Sequence, residues 1–135
     1  MSRVINPDSA GKERTRLVRA IVVALRELTR QSGPGAESRD ICAFISLSLR
    51  AVAETIDLSV APWETRGYWV KADRFRIDWM WTGQYSEKLR SALINDDWEQ
   101  VASIVAQVAQ RFQLVNVPKN NRVGRPLPGS WEKLQ

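Results

Sequence analysis

Histidine is absent from all 135 residues. That removes the Ser-His-Asp and Cys-His pairs, imidazole metal ligands and a switch that titrates near neutral pH. It also removes the Glu-x-x-His ligand pattern of di-metal helical bundles. Cysteine occurs once, at Cys42. One thiol cannot form an internal disulfide, which fits a reducing compartment. Long apolar runs are missing too: none approaches the ~18 residues of a membrane span. The longest candidate, Ile41 to Leu49, is interrupted by Ser46 and Ser48. The first ten residues are polar and carry Asp8, unlike a secretory leader. These absences lead to an expectation of a cytoplasmic chain with no membrane span, no metal, no cofactor and no evident small-molecule substrate.

What is present is helical periodicity. Leu17, Ile21, Ala24, Leu25 and Leu28 recur at spacings of three and four, and predict a first helix from Lys12 to Gln31. Ser32-Gly33-Pro34-Gly35 stops it. A second helix is expected from Ser38 to Val60. It is apolar around most of its circumference, so it should be buried on several sides. Pro62 is expected to end it, because proline donates no N–H and disfavours helix at Ala61. The third helix then runs from Trp63 to Leu93, with a bend near Thr82-Gly83. The fourth starts at Asp96, which with Glu99 reads as a capping box. Its seam is Trp98, Val101, Val105, Val108, Phe112 and Val115. Beyond it, five prolines and glycines between Pro118 and Gly129 predict an extended tail.

The fold class this predicts is all-α: a four-helix antiparallel bundle with an extended, basic C-terminal tail. Residues 1–11 are a flexible arm, 12–115 a single helical domain and 116–135 the tail.

The third helix is unusual because it carries two apolar faces. Tyr68, Ala72, Phe75, Trp79 and Leu93 share one direction, and Trp63, Val70, Ile77, Trp81 and Ala92 lie roughly opposite. A surface helix needs only one such stripe. Either the chain covers the second face itself, or another molecule does. Tryptophan gives a large contact area with little rotamer entropy, which suits an interface. The expected partner surface is therefore Trp63, Val70, Ile77 and Trp81, with Trp131 of the tail. The function read from it is a non-enzymatic interaction module or small subunit. It self-associates or docks on a larger assembly, so its partner is a protein or a second copy.

Charge supports an alternative. Residues 1–31 hold seven basic and three acidic side chains, and residues 116–135 hold four basic and one acidic. Lys12, Arg16, Arg19, Arg26 and Arg30 form a basic stripe on the first helix, and Lys119, Arg122 and Arg125 lie in the tail. These are the candidate phosphate contacts of a sequence-nonspecific nucleic-acid-binding protein. Lys12 and Arg14 at a helix N-terminus should oppose the dipole, a cost that a phosphate would offset. Catalysis has less support. Gly11-Lys12 lacks the first glycine and the hydroxyl residue of a phosphate-binding loop, since Asn6 and Glu13 stand there. No nucleophile has a base at a useful spacing.

Overall fold

The computed structural model describes residues 7–113, 115 and 129–135. These residues form five helices, α1 (Pro7–Thr29), α2 (Ala36–Thr65), α3 (Trp69–Ile94), α4 (Trp98–Arg111) and α5 (Ser130–Leu134), and include no strand.

Pro7 opens α1, a position where a missing N–H and a fixed φ suit the helix. Residues 7–11 are thus helical rather than part of a flexible arm. Lys12 and Arg14 lie beyond the first turn, where the dipole has faded, so the expected charge penalty does not arise.

Pro62 does not end α2. It lies three residues from the helix end, and its ring removes only the bond to the carbonyl of Leu58, an exposed residue whose carbonyl can turn to water. The break comes at Gly67, whose φ of 81° is the left-handed conformation that glycine adopts without strain. Gly67 N–H donates to the Glu64 carbonyl at 3.0 Å, and Tyr68 N–H donates to the Trp63 carbonyl at 2.8 Å. This pair of bonds closes a Schellman motif. Trp63 therefore belongs to α2, and α3 starts at Trp69. From there it runs unbroken through Gly83.

The same device joins α3 to α4. Asp96 takes φ 53°, Asp96 N–H donates to Leu93 and Asp97 N–H donates to Ala92. Asp97 also caps α4, its carboxylate accepting from Gln100 N–H at 3.2 Å. The cap is therefore Asp97, one residue later than expected. Asp96 instead accepts from the Trp98 indole N–H at 2.7 Å and from Arg39 at 3.2 Å. Asp97 thus both closes the end of α3 through its N–H and caps α4 through its carboxylate, which forces a tight reversal.

Packing centres on α2. It lies against α1, α3 and α5, as its broad apolar surface demands, with Ile45, Leu49 and Val52 fully buried. Each such side chain contributes about 1.5–3 kcal/mol on leaving water. Ser46 and Ser86 donate to each other's carbonyls at 2.8 and 2.9 Å, so α2 and α3 meet through small, satisfied residues. α4 packs on α3, with Val101, Ile104 and Val108 buried and Phe112 at its end against Trp81, and approaches α1 only sparsely.

Residues 129–135 correct the extended-tail expectation for the last part of the tail; residues 116–128 lie outside the described residues. Residues 130–134 are helical and lie on the body. Asp40 accepts from the N–H groups of Gly129 and Trp131 at 3.3 and 3.0 Å, and Arg90 donates to the Leu134 carbonyl at 3.1 Å.

Candidate functional site

At about 100° per residue, the surface of α3 divides into three strips. The inner strip, with Ala72, Phe75, Trp79, Thr82, Leu89 and Leu93, faces α2 along the whole helix. The second strip is Trp81, Tyr85 and Ala92, which α4 covers. The Trp81 ring lies 5.2 Å from Phe112 and 5.6 Å from Tyr85, with the Arg111 guanidinium 5.1 Å from its centre. The Tyr85 hydroxyl donates to Gln107 Oε1 at 2.6 Å. The third strip spans about 100° and holds Trp69, Val70, Ile77 and Met80. These are 59%, 75%, 66% and 55% exposed.

Helix length explains why cover stops at Trp81. α3 has 26 residues and α4 has 14, so at 1.5 Å per residue they span about 39 Å and about 21 Å. α4 leaves its tight turn at Asp97, runs back along α3 and ends beside Trp81. The first three turns of α3 have no fourth helix over them.

The structure therefore separates the expected interface residues. Val70 and Ile77 are on the open strip. Trp81 belongs to the core at 8% exposure. Trp63 is on α2 and meets Phe75 edge-on at 5.3 Å, with Lys71 Nζ 4.4 Å from its ring centre. Trp131 is half-buried on the body, with the Arg39 guanidinium 5.1 Å from its ring centre. Tyr68, Trp69 and Met80 join the open surface and were not anticipated. Trp69, Ile77 and Met80 recur at spacings of eight and three. Trp63, placed on the same wheel across the Gly67 break, pulls the expected face toward Trp81 and away from Trp69 and Met80.

The open strip ends at the α2–α3 turn, where Tyr68, Trp69 and Val70 project between the exposed side chains of Arg66, Lys71 and Arg74. α3 has no acidic residue in its first turn and no side-chain cap. Nearby, Arg76 bonds Glu64 at 2.7 Å and Asp57 at 3.1 Å. Hydrogen bonding to Arg76 holds the Glu64 carboxyl below its ordinary range, and the Arg76 guanidinium is correspondingly raised.

Arg14 occupies the gap between α1 and the inner strip. It donates to Thr55 Oγ1 at 3.1 Å and Ser59 Oγ at 3.0 Å, and its guanidinium lies 4.9 and 5.5 Å from the ring centres of Phe75 and Trp79. Desolvation lowers its pKa from the usual arginine value. The guanidinium can bond hydroxyls and stack on rings at once, which an ammonium does less well.

At the opposite end of the molecule, α1 and α4 stand apart. Between them lies an apolar groove of about 430 Å³, lined by Leu25, Leu28, Val101, Val105, Ala102 and Ala106, with the 33–34 turn and Trp98 at its end. Cys42 lies at its floor, where burial pushes the thiol up to about 12 and leaves it unreactive at neutral pH. Glu99 shares the groove side of α4 with Ala102 and Ala106. Together with Asp96 and Asp97 it gives this end three exposed carboxylates, one of which, Asp96, is paired with Arg39.

The basic stripe of α1 faces outward, with Lys12, Arg16, Arg19 and Arg30 exposed and Arg26 half-buried. Arg16 is bound to Glu13, which raises its pKa, and Arg30 to Glu27 at 2.9 Å. Lys119, Arg122 and Arg125 lie outside the described residues. Among the described residues, no group of three or more Cys, Asp or Glu side chains could hold a metal ion, and no helix is long and apolar enough to cross a membrane. No protein family, no curated protein and no solved structure matches the chain.

Proposed function

We propose that this protein is a non-enzymatic interaction module, a four-helix bundle that docks on a protein through the uncovered strip of α3. The observation that carries this is the run of Trp69, Val70, Ile77 and Met80, more than half exposed on a helix whose other two strips pack against α2 and α4. Together with Tyr68 it presents several hundred Å² of mostly apolar surface, at the upper end of what an ordinary monomer exposes in one patch. Leaving it in water invites aggregation, so a fold that keeps it has a use for it. The tail takes a smaller part than its sequence implied, since Trp131 is partly spent on the chain's own surface.

Photo-cross-linking from position 77 tests this. A cross-linker at Ile77 should trap discrete protein adducts, and the same group at Glu54, on a polar face, should not. Equal and diffuse adducts from both positions would remove the reading.

Nucleic-acid binding remains the second reading, supported by the exposed Lys12 and Arg19. It requires an affinity for random duplex that falls steeply with salt. The pairing of Arg16 and Arg30 with glutamates leaves fewer cations for phosphate and favours the first reading.

A further inference from the structure

The same chain carries both a knob and a groove, at opposite ends. Resting on the interaction-module reading, we infer that the occupant of the α1–α4 groove is the α2–α3 turn of a second copy, so that copies join head to tail.

Shape is the first argument. Tyr68, Trp69 and Val70 project from the turn, and the groove of about 430 Å³ is nearly all carbon, with two alanines, Ala102 and Ala106, leaving room on α4. That volume lies within the range of sites that enclose a ligand, and an aromatic pair can fill it. Charge is the second argument. The knob is flanked by Arg66, Lys71 and Arg74 against two carboxylates, Asp73 and Asp78. The groove end carries Asp97 and Glu99, with Asp96 paired to Arg39 at 3.2 Å, all three carboxylates exposed. Opposite signs at the two ends attract, and matching ends of two copies repel. A symmetric α3-to-α3 dimer centred on the strip is disfavoured for a related reason. The two-fold axis would bring Asp73 close to its own copy inside an apolar contact, an unpaired like-charge pair with a desolvation penalty. A contact between two different surfaces does not close on itself and builds chains or rings.

Two variants at exposed positions test this without touching the core. Trp69→Glu disables the knob, and Ala106→Arg blocks the groove with bulk and a charge like that of the knob. Both should keep the wild-type circular dichroism spectrum. In sedimentation at ~100 µM, the wild type should form species that grow with concentration, and each variant alone should stay monomeric. An equal mixture should give one species of twice the monomer mass, because one intact knob meets one intact groove and growth stops there. A monomeric wild type, a variant that dimerises alone, or a mixture that stays monomeric overturns the inference. Discrete adducts from Ile77 to proteins other than this chain would leave the interaction-module reading standing while the head-to-tail contact fell.

Discussion

Two alanine substitutions one turn apart on α3 should have very different effects. Trp81→Ala removes a ring that is 8% exposed and packed between Tyr85, Phe112 and Arg111. Truncation of a buried tryptophan costs about 3–5 kcal/mol, from lost transfer free energy plus the cavity left behind. Domains of this kind have about 5–15 kcal/mol in total, so the loss is a large fraction of the whole. Ile77→Ala removes a side chain that is 66% exposed and gains a better helix former, so the net change should stay within about 0.5 kcal/mol. Urea unfolding followed by far-ultraviolet circular dichroism reads both. With a slope near ~2 kcal/mol per molar, Trp81→Ala should lower the midpoint by about 2 M, while Ile77→Ala leaves it in place. If Ile77→Ala costs as much as Trp81→Ala, the strip is not divided as described and α4 is not what covers its lower half.

Arg14→Ala should cost about 2 kcal/mol, from two hydroxyl bonds and two partly desolvated ring contacts, with Arg14→Lys recovering less than half of it in the same urea assay. Asp40→Ala should release α5, because the N–H groups of Gly129 and Trp131 lose their acceptor. The measurements are faster proteolysis at the C-terminus and a red shift of the tryptophan emission, with the stability of the rest of the chain lowered by no more than about 1 kcal/mol. Gly83→Ala should raise stability by about 0.5–1 kcal/mol, since a Cβ there meets Ala53 at an ordinary 3.5 Å and a mid-helix glycine is entropically costly. A destabilised Gly83→Ala protein would mean that α2 and α3 pack more closely than this.

The helical content was legible because it rests on a local period of 3.6, and so was part of the α4 seam: Val101, Val108 and Phe112 are buried, but Ile104, outside the expected seam, is buried too, and Val105 lines the groove half-exposed. The broad burial of α2 was legible too, since a helix with so narrow a polar strip has few other places to go. Boundaries were less legible. Pro62 is a strong breaker in a helix interior, but near a C-terminus with an exposed carbonyl partner it is tolerated, and the decisive residue was Gly67. Asp97 took the cap from Asp96 because Asp96 was needed in the left-handed position of the preceding turn. The two apolar faces of α3 were visible, but which part of the second face stays open depends on the length and direction of α4, a tertiary fact. The docking of Trp131 depends on Asp40, 91 residues earlier, and no local pattern signals that pairing.

Thiol labelling at position 77 tests the central claim most directly. In Ile77→Cys protein the native Cys42 stays silent, being buried with its thiol pushed up to about 12. In dilute solution the new thiol should react with a bulky maleimide as fast as an unfolded control, and Tyr85→Cys should lag far behind it. Slow labelling of position 77 in dilute protein would show that the chain hides this face itself, contradicting the account.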